Sequence, residues 1–364
     1  MASLPKCWHI NIVWVVVFTL LAVPTYYIVE AFAARFGLWG LYGCAAVLLV
    51  TVPALAFYGL PEPRLPDPWL YLFAALAYAS VGGLMHALHA VGCVKGLGDS
   101  WSRTVEPYRN SNWAVGASLY EGTLHYVLYL GMAALSYNGA SYRSAGLFWA
   151  GSMLHMMVVL FGGALASHYP VKLIGLAFNK PFALLALVLL VQLLSRPSTP
   201  LAAQQRPFSW PTRLAGAVLF GAACDLALMR ALTVSDNSFR FVLDYKTWVE
   251  PALLGPVDHF WVVQALVGAF YLGPFFFCVF YQLLFRGTLS QATYDWMLVV
   301  AGALCNSVAT STLGQLWPSK LEKAWPTKAP LLFWTFQSLF GAGILVFIAC
   351  LHVNRTRIPN KYAK

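Results

Sequence analysis

Glu121 and His125 stand four residues apart in an otherwise apolar stretch, which places both side chains on one face of a helix. Tyr129 continues that face, and Tyr120 and Tyr126 flank it. A carboxylic acid in low-dielectric surroundings has its protonated form favoured, and a neighbouring imidazole can reload it. The pair therefore suits a general acid; it equally suits a hydrogen-bonded strut between helices, a common use of polar residues in membrane bundles. His86 and His89 lie one turn apart. That spacing can bind a metal, but no third ligand accompanies it at a characteristic distance, so interhelical hydrogen bonding is expected first and a place beside Glu121 second. No metal and no cofactor are expected. Asp225 and Arg230 are five apart, not quite on one face. They are either a compensating pair, or Asp225 is a second acid in the later half of the chain. Lys180, in Asn179-Lys180-Pro181, marks a broken helix or a contact with an anionic headgroup. His155 among methionines reads as a core histidine, and Asp295 as a charge at a helix N-terminus. Glu106 and Glu250 each precede a proline in a polar loop, either solvated or dipping into a cavity mouth.

The elements that position these groups follow from composition. Of 364 residues 60% are hydrophobic and 10% charged, against about half and about a quarter in soluble domains. A water-soluble enzyme and a disordered regulator are excluded. The net charge of +10 is spread singly between apolar blocks, so it forms no nucleic-acid stripe. Ten blocks have the roughly 20 apolar residues that a spanning helix needs: 10–32, 37–59, 68–92, 113–136, 144–167, 171–194, 213–234, 260–285, 292–315 and 330–353. No short alternating segments of a β-barrel appear. The expected fold is all-α: a polytopic membrane protein of about ten transmembrane helices. The seven cysteines show no disulfide or zinc spacing and read as small buried hydrophobes.

With ten spans both termini share a side. Lys and Arg number eleven on that side and ten on the other, so the acid-free basic runs at 196–213 and 355–364 decide, and place both termini in the cytoplasm. The Pro/Ser/Gln-rich stretch 196–212 is a linker dividing the helices six and four. A faint repeat lies on either side of it. Val105-Glu106-Pro107 precedes a span holding Tyr129-Leu130-Gly131; Val249-Glu250-Pro251 precedes one holding Tyr271-Leu272-Gly273, at offsets of 144 and 142. The division is two leading helices over 1–65, a four-helix unit over 66–195, the linker, a second unit over 213–354 and a basic cytoplasmic tail, 355–364.

Ionisable groups inside a bilayer are costly and mark sites by default. Aromatics make up 15% of the chain, and Trp113, Tyr120, Tyr126, Trp149, Phe270, Tyr271 and Trp334 fall within or close to spans. Most pack the bundle, but aromatic faces also stabilise cations, more so when desolvated. A buried acid, a basic relay and an aromatic-lined apolar cavity suit one chemistry: protonating a lipid to a carbocation and steering its collapse. Walker, nucleophile-elbow, zincin and dinucleotide motifs are missing from the sequence, as is any Asp-rich diphosphate motif. A transporter is the competing reading, since internal repeats and intramembrane charges occur there too.

The run Glu106-Pro107-Tyr108 … Tyr120-Glu121-Gly122-Thr123-Leu124-His125-Tyr126, then Tyr142-Arg143 … Gly146-Leu147-Phe148-Trp149, resembles the transmembrane-six superfamily. Arg230, Glu250-Pro251, Tyr271 … Pro274 and Asp295-Trp296 agree with it in the second half. The resemblance covers nearly everything after about residue 66. It implies two EXPERA domains in tandem, the four-helix unit also found in emopamil-binding protein, a sterol Δ8-Δ7 isomerase. By that resemblance Glu121 falls on the isomerase's helix-two glutamate and His86 on its helix-one histidine. Its helix-one glutamate, one turn after that histidine, is Ala90 here, and no tryptophan matches its last-helix tryptophan over 171–194. Similar double-EXPERA architecture is that of fungal membrane-bound terpene cyclases of meroterpenoid pathways, which protonate a terminal epoxide on a farnesyl chain. The resemblance thus implies a terpene cyclase in the endoplasmic reticulum membrane acting on an isoprenoid, with Glu121 as acid, Asp225 as the next candidate, and His125 and His86 positioning or reloading it. The alternatives it implies are a sterol isomerase and a non-catalytic lipid-handling protein of the transmembrane-six kind.

Overall fold

In lipid every backbone N–H and C=O must be satisfied within its own segment, so apolar runs of this length become helices. The computed structural model of the protein describes residues 8–59, 67–94, 100–101, 105–167, 173–196, 207–235, 237–250, 258–317 and 331–356. The long helices are α1 (Trp8–Leu20), α2 (Ala22–Gly59), α3 (Pro68–Val91), α4 (112–137), α5 (Arg143–Ala166), α6 (Leu173–Ser195) and α7 (Trp210–Val234). A short α8 (Arg240–Trp248) and then α9 (His259–Arg286), α10 (Gln291–Leu316) and α11 (331–356) complete the order. No strand occurs among the described residues, and the protein is all-helical. Seven helical stretches there are long and apolar enough to cross a membrane. The first, Val13–Gly59, holds 47 residues and the first two expected blocks. It is broken at Gly37, whose φ of 60° and ψ of −143° only glycine adopts readily. The blocks expected at 113–136 and 330–353 are helical but are not among those seven. Most of the linker, 197–206, and the tail from 357 lie outside the described residues.

Local chemistry fixes the ends of α3. The Asp67 side chain caps it by accepting from the Trp69 N–H at 3.1 Å and from the Ser136 hydroxyl at 2.7 Å. Pro68 supplies the preset first turn. Gly92, at φ 89°, closes the far end in the left-handed conformation. The polar stretch expected as a loop after α7 instead contains α8, and 107–110 winds into one 3-10 turn.

The chain divides into two compact units. One comprises Met1–Gly146, Tyr169–Phe178 and Ala309–Ala324; the other comprises Leu147–His168, Asn179–Val308 and Trp325–Lys364. In the first, α3 packs along α1, α2 and α4, and the fully buried Phe73, Trp113, Tyr120 and Tyr129 fill the core. In the second, α7 packs against α8, α9 and α11, with Trp149, Phe220 and Phe260 buried. His155 is a core histidine there, its Nδ1 2.9 Å from Asn306 Oδ1. The cysteines differ from expectation. Cys93, Cys278 and Cys350 are exposed and Cys44, Cys224 and Cys305 half-buried, because a thiol sits as comfortably against lipid as in a core.

Small residues let the helix backbones touch. A Cβ on Gly151 would collide with the Val299 carbonyl, and one on Gly302 with the Phe148 carbonyl. Gly302→Ala is therefore expected to cost roughly 1–3 kcal/mol, visible as a lowered Tm in detergent. Gly131→Ala, where nothing lies within 4 Å, should leave Tm unchanged.

Candidate functional site in the first unit

Each Val-Glu-Pro loop is held by its own glutamate. In the first unit the Val105 and Glu106 N–H groups both donate to the Trp101 carbonyl, at 2.8 and 3.1 Å. In the second, Val249 and Glu250 donate likewise to the Tyr245 carbonyl, at 2.9 and 3.1 Å. Five residues before each glutamate an aromatic donor reaches its carboxylate: Trp101 Nε1 to Glu106 Oε2 at 2.5 Å, and Tyr245 OH to Glu250 Oε2 at 2.9 Å. Each carboxylate also binds an arginine, from a different place in the chain. Arg109, three residues on, donates to Glu106; Arg230, from α7, forks onto Glu250, with Nε 3.0 Å from Oε1. Tyr108 OH adds 2.6 Å to Glu106 Oε1. Both glutamates are buried rather than solvated.

The charges in these clamps are locked. Burial alone would lower the Arg109 guanidinium, but Glu106, Tyr108 and Glu121 overcome it and hold Arg109 above its ordinary value. The Tyr108 phenol is pushed well above its usual range by burial and then by the Glu106 carboxylate. Tyr245 is raised in the same way by burial and Glu250.

Glu121 is placed otherwise. Its backbone lies in a wide π-helical turn, Glu121–His125, in which the Tyr126 N–H donates to the Glu121 carbonyl five residues back. The carboxylate stands over Gly83 of α3, with Oε2 3.8 Å from where a Cβ would be. Among the described residues it makes no hydrogen bond, although Arg109 and Glu106 act on it through space. No bond joins it to His125. That imidazole is fully buried and packs on Tyr120 edge-on at 4.8 Å and on Tyr129 at 6.0 Å.

His86 lies one turn beyond Gly83 on α3, close enough to feel Arg109 and His89. A 2.5 Å hydrogen bond joins its Nδ1 to the Tyr26 hydroxyl of α2, the roles set by the imidazole tautomer. The rings meet edge-on at 4.5 Å. Glu121, His86 and His125 thus belong to one unit, with Arg109 and Tyr26 as members that the sequence did not single out. Tyr26→Phe is expected to cost about 1 kcal/mol, read as a lowered Tm, whereas the exposed Tyr27→Phe is not. Among the described residues no third ligand completes a metal group with His86 and His89.

Asp225 is elsewhere. It belongs to the second unit and is exposed. The pair expected between Asp225 and Arg230 does not form, because Arg230 is committed to Glu250. Five residues is too far round the helix for both to face one partner. Phe270, 80% exposed, and Tyr271, 40% exposed, also face outward, unlike the buried Trp113, Tyr120 and Trp149. Asp295 sits near the start of α10 and accepts from Gln291 Nε2 at 2.9 Å.

These features define a multi-pass helical membrane protein with one unengaged carboxyl among histidines, a locked arginine and aromatic rings. The family described as Transmembrane 6 superfamily member 2-like, transmembrane domain, matches residues 21–204. The chain belongs to that family. Transmembrane 6 superfamily member 2 of Homo sapiens is 29% identical over 274 residues, covering 71% of each chain. The Rattus norvegicus protein of the same name is 27% identical over 279 residues, again covering 71% of each. No solved structure matches.

Proposed function

We propose that the first unit binds an apolar isoprenoid lipid and that Glu121 protonates it, starting a carbocation cyclisation. The substrate is an epoxidised farnesyl chain. One observation carries this reading: of the three glutamates 106, 121 and 250, two are spent on arginine and aromatic donors, and Glu121 makes no hydrogen bond among the described residues. A carboxyl held inside a membrane without a structural partner is a site by default. The Glu121 proton passes to the epoxide oxygen as its bond to the more substituted carbon breaks. The chain's double-bond electrons then close the ring, and the final cation loses a proton. Reactant and product have the same mass. In the same unit the His86 ring packs on Tyr26 and the His125 ring on Tyr120 and Tyr129, aromatic surroundings of the kind that stabilise a cation.

The test is to incubate microsomes carrying the protein with a farnesylated epoxide and to follow products by mass spectrometry and NMR. A cyclic isomer of unchanged mass supports the reading; unreacted epoxide with well-folded protein refutes it. The same fractionation tests residence in the endoplasmic reticulum. A second reading, lipid handling without chemistry, is favoured by a different observation: neither His125 nor His86 is bonded to Glu121 to return its proton. Growth of a sterol-isomerase-deficient strain on this protein would point to isomerisation instead.

A further inference from the structure

α6 and α7 each turn one stripe outward, and each stripe carries a single charge. On α7 the exposed positions include Leu214, Val218, Asp225 and Leu228, spaced so that they fall on one helix face. On α6 they include Ala177, Lys180, Leu184, Leu187 and Val191. On a spanning helix an exposed apolar stripe of this kind is a face that lipid would cover. Among the described residues neither Asp225 nor Lys180 has a hydrogen-bond or ion-pair partner. A charge on a lipid-facing stripe within a span costs several kcal/mol unless it is paired or reaches water.

Their depths agree. α6 and α7 are consecutive spans, so the Leu173 end of one and the Val234 end of the other share a side of the membrane. Lys180 lies seven residues in from Leu173, and Asp225 nine in from Val234, or about 10 and about 13 Å at 1.5 Å per residue. A lysine side chain bridges that difference. Two copies in one membrane share an orientation, so a twofold axis along the membrane normal joins residues of equal depth, reciprocally.

We propose that a second copy of this chain docks on the α6 and α7 stripes, Lys180 of one protomer pairing with Asp225 of its partner and the reverse. The observation is charge complementarity at matched depth on two otherwise apolar faces; it is independent of the reading of Glu121.

The full-length protein in nanodiscs, carrying two different tags, tests this by co-capture. The wild type should co-capture. Lys180→Asp alone and Asp225→Lys alone should each lose co-capture at least tenfold, since each brings like charges together. Co-expressing the two variants should restore it, because every contact is again opposite in sign, and that rescue also shows that both chains fold. The neutral Lys180→Met and Asp225→Asn should lose co-capture without adding a repulsion. Monomeric wild type, or co-capture unchanged in all single variants, overturns the proposal. So does rescue only when both substitutions sit in one chain, which would mean that the two residues pair within a protomer.

Discussion

Glu121→Gln should slow ring closure by roughly 10²–10⁴-fold, the usual contribution of a positioned general acid. The substitution keeps the shape of the side chain and removes its transferable proton. Since Glu121 makes no hydrogen bond among the described residues, the variant should fold as the wild type does, with the same Tm in detergent. Loss of activity with unchanged Tm is the signature sought. Asp225→Asn is the contrasting variant: it lies on an outward stripe of the other unit and should leave ring closure intact. Cyclisation that survives Glu121→Gln would assign the acid elsewhere.

The largest expected effect on stability lies at the second clamp. Arg230→Met strands the Glu250 carboxylate, 8% exposed at its side chain, with the Tyr245 hydroxyl still donating to it. Removing one member of a buried ion pair costs about 3–5 kcal/mol, because the other charge stays desolvated. Small domains have about 5–15 kcal/mol in total, so the variant should unfold at a markedly lower temperature. Arg230→Met combined with Glu250→Gln should recover part of the loss, since no bare charge remains. Equal losses in the single and double variants would mean that the cluster holds the loop by packing rather than by charge.

What the sequence disclosed was governed by contrast. Charged and imidazole groups in apolar blocks are conspicuous, so Glu121, His125 and His86 were found, and the helical fold follows from block length alone. The twin Val-Glu-Pro loops were visible as tripeptides, but their aromatic donors at Trp101 and Tyr245 were not, because so many residues here are aromatic. Arg109 carries no such contrast, because it follows a Glu-Pro pair in a polar stretch, where cations are cheap. Proximity in sequence offers Arg230 its neighbour Asp225 as one possible partner, whereas the partner in the fold, Glu250, lies 20 residues away. The outward aim of Asp225 was legible after all, since Leu214, Val218 and Leu228 share its face. Tyr26 carried no signal, being one more tyrosine in a leading span.

The wide turn at Glu121–His125 has a consequence for how the chain there can change in length. A turn closed five residues back uses one residue more than an α-helix requires. Deleting a single residue within 122–125 would let the ordinary ladder close and would leave Glu121 in the same angular phase with the helix that follows, because five residues in the wide turn sweep about as far as four in an α-helix. A one-residue change of chain length is therefore absorbed within the turn itself, and the helix on either side can keep its packing while the residues between are exchanged.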